Sequence, residues 1–231
     1  MMLMMPDMRW VLALVSALLI FGCSPAKRSA PSMRAEAQKD MEFHRYDEAV
    51  ELYSELVERD PTRWYDQYAL GQAAVAAGNL GQARMALEIA STLRPNDGRI
   101  ARDLASVLYQ LDARDELFRL LKDRAQTTQM PNDWLLLARY AMDCDDPDTA
   151  RLAVRIGIAL DDDGSAAPYL LAAQIARQLG EEQDARRALI IAWHANPEDE
   201  QVNTMLRDMG IVPGPTLAIP PSTSSVDPTT Q

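Results

Sequence analysis

The sequence predicts an all-α fold, a solenoid of stacked helix pairs, on three observations. Ala49 and Pro61 stand twelve residues apart, Ala83 and Pro95 repeat that spacing 34 residues later, and Ala185 and Pro197 repeat it again 102 residues (three times 34) after Ala83. Self-similarity at this period means a helix–turn–helix unit stacked several times, each copy burying its apolar face on the next. Between these marks apolar residues recur at helical spacing, as in Leu52, Tyr53 and Leu56. Finally, the 231 residues contain only Cys23 and Cys144. A disulfide framework is therefore excluded, and helix packing must hold the fold.

The units follow in order. Residues 24–35 (SPAKRSAPSMRA) are small, polar and broken by prolines, which predicts a flexible tether. The first unit spans about 30–63, with a first helix shortened at its start. Its second helix runs through Tyr46-Asp47-Glu48-Ala49, and Asp60-Pro61 closes it because the residue before proline avoids helical backbone. The second unit, about 64–97, carries Leu70-Gly71 as a large–small pair, Gly78 at the turn, then Ala83, Leu87, Ala90 and Pro95.

These residues resemble a tetratricopeptide repeat, with Ala74 where that family often places an aromatic. The resemblance implies a right-handed solenoid whose first helices line a concave groove. The third unit, about 98–130, keeps Leu104-Ala105, Leu108 and Leu121, but Leu117 replaces the small alanine and the closing proline is displaced to Pro131, so less regular packing is expected. The fourth, about 131–164, keeps Trp134, Leu137-Ala138, Ala150 and Val154 and ends in Asp161-Asp162-Asp163-Gly164. The fifth, about 166–199, restores the pattern with Tyr169, Ala172-Ala173, Gly180, Ala185, Leu189, Ala192 and Pro197. A capping helix at 199–209 covers the last face and Gly210 stops it. Residues 211–231, rich in Pro, Ser and Thr, read as a disordered tail.

In front of the repeats, Arg9 leads an apolar run from Trp10 to Gly22. As a helix it spans roughly 20 Å, short of the ~30 Å hydrocarbon core, and reads as a signal peptide over residues 1–22. Met8 makes a cleaner start than Met1, because Asp7 offsets the positive segment. Ile20-Phe21-Gly22-Cys23 resembles the lipobox of bacterial lipoproteins, with Phe21 bulkier than usual. The resemblance implies lipid attachment at Cys23, a lipidated tether over 23–35, and a place on the periplasmic side of the cell envelope. Ser24 after the cysteine implies the outer membrane over the inner.

The formal net charge is −11, which offers no basic surplus to displace counterions from nucleic acid. His44 and His194 fall in the first and fifth units, too far apart in a solenoid to share a site. No phosphate-binding glycine loop and no nucleophile elbow is present. No catalytic residue, metal site, cofactor or small-molecule substrate is expected. The turn acids Asp143, Asp145, Asp146 and Asp148 lack the order of a calcium loop and read as helix caps, with Asp148 nearest a helix start. Cys144 lies among them, and their charge is expected to raise its pKa.

The groove carries the functional expectation. Residues offset by −5, −2, +2 and +5 from the large member of each pair point inward. They are Tyr65, Tyr68, Gln72 and Val75 in the second unit, and Arg99, Arg102, Ser106 and Tyr109 in the third. Leu135, Arg139 and Met142 follow in the fourth, and Leu170, Gln174 and Arg177 in the fifth. Tyrosine and arginine dominate binding hot spots, and arginine's fork matches carboxylates. The arginines either hold an acidic protein or peptide partner or pair with acids of neighbouring helices. Gln72 and Asp103 depart from the carboxylate-clamp members of the family, which argues against their ligand. The expected function is a membrane-anchored scaffold or adaptor in envelope assembly. A pilotin-like lipoprotein, a self-associating structural protein and an enzyme stand as alternatives.

Overall fold

The computed structural model describes residues 28–214 and 217. The signal segment, Cys23 and nearly all of the C-terminal tail lie outside the described residues. Among them, eleven helices and no strand occur: α1 (Ala30–Glu42), α2 (Tyr46–Arg59), α3 (Trp64–Ala76), α4 (Leu80–Leu93), α5 (Gly98–Gln110), α6 (Arg114–Thr128), α7 (Pro131–Asp143), α8 (Pro147–Ala159), α9 (Ala166–Gln178), α10 (Glu182–Ala195) and α11 (Glu200–Asp208). None of these is long and apolar enough to cross a membrane.

The first helix departs from the sequence reading. α1 is full length and begins at Ala30, inside the stretch expected to be a flexible tether. The Ser29 side chain accepts the Ser32 N–H, and Pro31 sits in the first turn, where its missing N–H costs nothing. The same residues that suggest a tether thus start a helix.

Each pair turns on one left-handed residue. His44, Gly78, Asp112, Asp145 and Gly180 all have positive φ, and each stands two residues beyond the end of its unit's first helix. The following N–H then reaches back to the helix, as in Asn79 to Ala74 at 2.8 Å and Ala113 to Leu108 at 2.9 Å, satisfying carbonyls the helix end leaves open. Only two of the five turns use glycine, which takes this conformation without strain.

The alanines of the repeat are the contacts between paired helices: Ala49, Ala83, Ala150 and Ala185 are fully buried. Gly71 allows the closest approach, since a Cβ there would stand 2.6 Å from Leu87 Cγ. In the third unit Leu117 occupies the alanine's place, also fully buried, and α5 and α6 pack least closely of the five pairs, as the substitution predicts. Val202 and Leu206 of α11 are buried on the fifth unit and close the array.

First helices of successive units touch, α3 with α5, α5 with α7 and α7 with α9, which curves the array with first helices inside. On the outside a cleft of about 410 Å³ opens between α4 and α6, floored by Ala101, Leu104 and Leu108 of α5.

Candidate binding groove

Two ion pairs, each on a buried aspartate, fasten the units that form the groove. Arg34 of α1 donates from Nε and Nη2 to both oxygens of Asp66, each at 2.7 Å, and Asp66 is fully buried. Arg124 of α6 donates from Nε to Asp133 at 2.8 Å and from Nη1 to the Pro95 carbonyl at 2.8 Å, while the Thr128 hydroxyl donates to Asp133 at 2.6 Å. Both acids stand third in a first helix, α3 and α7. Sequence reasoning missed all four charged residues. The available signal was an aspartate repeated at one register on an otherwise apolar face.

On the inner face, the Tyr68 hydroxyl donates to Asp103 Oδ2 at 2.8 Å, and Gln72 Nε2 donates to the Tyr68 oxygen at 2.9 Å and to Asp103 at 3.3 Å. Burial, then the Asp103 carboxylate, pushes the Tyr68 pKa up to about 12. Beside this triad a pocket of about 250 Å³ lies between α3 and α5, lined by Gln72, Val75, Leu87, Asp103, Ser106 and Val107. Further along, the Tyr109 and Tyr140 rings lie 5.6 Å apart, and the Tyr109 hydroxyl reaches the Asp143 carbonyl at 3.5 Å. Tyr65 and Tyr109 remain 48% and 42% exposed, leaving ring surface for a partner.

The expected arginine ladder divides. Arg99 turns back on its own loop and donates from Nη2 to Asp97 at 2.8 Å, which holds the Asp97 pKa down at about 2. Arg177 stands 4.0 Å from Asp208 of α11. Arg102 and Arg139 are exposed and make no ion pair among the described residues. Arg102 holds in α5 the register that Tyr68 holds in α3, and Arg139 holds in α7 that of Gln72. Pairing with an acid of a neighbouring helix therefore occurs at Arg177, while Arg99 pairs within its own loop.

The chemistry elsewhere is structural. Asp146 caps α8 by accepting the Thr149 N–H at 3.1 Å, and hydrogen bonding to the Thr149 side chain, then to its N–H, lowers its pKa. Asp148 lies in the first turn with its side chain in solvent. Asp161 accepts the backbone N–H and hydroxyl of Ser165 at 2.7 and 2.8 Å. The Cys144 thiol is raised, but chiefly by burial, with Asp143, Asp112 and Asp145 adding less and Arg114 opposing. The expectation had the direction and took a lesser cause for the main one. His44 meets Tyr46 on the first turn, and His194 meets the Leu217 carbonyl at 2.7 Å, so each imidazole is occupied locally.

No family model matches the chain, and no curated protein matches it. Solved structures do. A segment of MamA from Desulfovibrio magneticus RS-1 aligns at a TM-score of 0.57 and 14% identity, covering 74% of this chain and 97% of that one. YrrB, described as a TPR protein with an unusual peptide-binding site, aligns at 0.54 and 16% identity, covering 84% and 98%. TTC0263, a thermophilic TPR protein of Thermus thermophilus, aligns at 0.52 and 14% identity, covering 78% and 98%. Identities this low speak to architecture. Together with the five stacked helix pairs, they establish that this chain has the tetratricopeptide-repeat solenoid fold.

Proposed function

We propose that this protein is a scaffold that holds an extended, acidic stretch of a partner protein in the groove lined by α3, α5 and α7. One observation carries the reading: on a chain of net charge −11, Arg102 and Arg139 are exposed on the inner-face register without an acid partner among the described residues, and the same register carries the exposed rings of Tyr65 and Tyr109. Arginine and tyrosine on one exposed face are the recurring composition of binding hot spots. The fold shared with YrrB, whose description names a peptide-binding site, supports the same use of the groove.

In-cell crosslinking of the full chain followed by identification of captured proteins tests this. A hydrogen bond to a charged group contributes about 1.5–3 kcal/mol, so reversing both charges with Arg102→Glu and Arg139→Glu should weaken capture by about 100-fold or more while helicity by circular dichroism is unchanged. A partner captured equally well by the double variant would end the groove reading.

The apolar run and Ile20-Phe21-Gly22-Cys23 support lipid anchorage at Cys23 on the periplasmic face of an envelope membrane, the outer one by Ser24. Several acyl chains, at about 0.8 kcal/mol per buried CH₂, make such attachment lasting. The groove would then work next to the bilayer, in assembly of an envelope complex. Cys23→Ser should move the protein to the soluble fraction.

A further inference from the structure

The pocket between α3 and α5 adds a chemical requirement to the groove reading, on which this inference rests. Its floor and walls are aliphatic, from Val75, Leu87 and Val107, and its rim is polar, from Gln72, Ser106 and Asp103. At about 250 Å³ it falls below the roughly 300–1,000 Å³ of sites that enclose whole small molecules. It is sized for one side chain delivered by a longer ligand.

The rim carboxylate decides what that side chain is. Asp103 already accepts from Tyr68 and Gln72, and it repels a second carboxylate, so an acidic residue of the ligand does not enter here. The unpaired cations lie elsewhere, Arg102 on α5 and Arg139 on α7. The apolar and acidic contacts must therefore come from different residues of the ligand. Neighbouring helices stand about 8–10 Å apart and an extended chain rises about 3.3 Å per residue, so an anchor midway between α3 and α5 and an acid at α7, one and a half spacings on, lie about four positions apart.

We propose that the groove recognises an extended peptide with one aliphatic side chain seated in the α3–α5 pocket and an aspartate or glutamate about four residues away, held by Arg139, with Arg102 on the adjacent α5. The anchor fixes the register of the peptide, and the acid fixes its direction along the groove.

Panning a random dodecapeptide phage library on the full-length protein tests this, followed by fluorescence anisotropy of the selected peptides. The expected consensus pairs Leu, Ile, Val or Met with an acid about four positions away. Replacing the anchor by Ala should cost about 10- to 100-fold in affinity, as burial of one aliphatic side chain implies. Val75→Phe, which fills the pocket, should cost a similar factor, and the change on the peptide keeps the test valid if that variant folds poorly. Peptides that lose binding with Arg102→Glu and Arg139→Glu but share no aliphatic residue, and are indifferent to Val75→Phe, would overturn the anchor while leaving the groove reading in place. Peptides indifferent to the arginine changes as well would overturn both. A library yielding no binder would overturn the anchor alone, with the crosslinking result deciding the groove.

Discussion

The second and third units solve the same packing problem differently. In the second, α3 and α4 meet through Gly71 and the fully buried Ala83, so the α3 backbone lies directly on Leu87. In the third, Leu117 stands where the alanine belongs, α5 and α6 pack less closely, and an outer cleft opens beside them. The joint to the fourth unit also lacks the regular proline. Instead Arg124, Asp133 and Thr128 form a polar clamp, with Arg124 reaching back to the Pro95 and Asn96 carbonyls of the preceding turn. A solenoid depends only on nearest-neighbour contacts, so one unit can lose its close apolar fit if its joint is fastened by other means. The difference teaches that regularity of sequence and strength of a joint are separate properties.

Removing the clamp is expected to have the largest effect. The Arg124 and Asp133 side chains are only 8% and 10% exposed. Arg124→Met leaves a buried carboxylate without its cation and should cost about 3–5 kcal/mol, read as a lowered urea midpoint by circular dichroism. Adding Asp133→Leu removes the stranded charge and should recover most of the loss, because a buried ion pair replaced by apolar side chains is often neutral. If the double variant is as unstable as the single one, the stranded Asp133 charge is not the source of the loss, and the bonds of Arg124 to the Pro95 and Asn96 carbonyls are what fasten this joint.

The same contrast shows which parts were legible in sequence. The 34-residue period exposed the helix pairs, since Ala49, Ala83 and Ala185 are small where backbones must approach. Leu117 announced the loose pair for the same steric reason. Which first-helix residues share a face also follows from register alone, because helical geometry fixes it. The ion pairs did not follow. Arg34 with Asp66 and Arg124 with Asp133 cross between helices of adjacent units, and Arg99 turns to Asp97 in its own loop because that carboxylate caps the same helix. Which acid an arginine finds depends on how the units sit on each other, and the repeat pattern does not carry that.

A smaller effect sharpens the close contact in the second unit. Gly71→Ala places a Cβ 2.6 Å from Leu87 Cγ, a branch point held in the core, and should cost about 1–3 kcal/mol by overpacking. Gly157→Ala in the fourth unit meets Leu135 Cδ2 at 2.9 Å, the far end of a side chain, with Cγ at 3.4 Å, and should cost less. Equal losses at the two sites would mean that α3 and α4 are no more tightly joined than α7 and α8.

The smallest expected change lies at the turns. Gly78 and Asp112 occupy the same place in the second and third units, with φ of 79° and 53°. A non-glycine residue in left-handed backbone is strained by roughly 1–2 kcal/mol, less for aspartate, whose short polar side chain bonds locally. Asp112→Gly should therefore raise stability by about 0.5 kcal/mol after the added freedom of the unfolded chain is set against it, and Gly78→Ala should lower it by about 1 kcal/mol. The ion pair of Asp112 with Arg114 does not reverse the first sign, because both side chains are more than half exposed and such pairs contribute little. The two turns share no hydrogen-bond partner, so the changes should add in the double variant to within about 0.5 kcal/mol. Failure of additivity would mean that the loose third unit transmits strain to its neighbour, and the polar clamp would then be only part of what replaces the missing close contact.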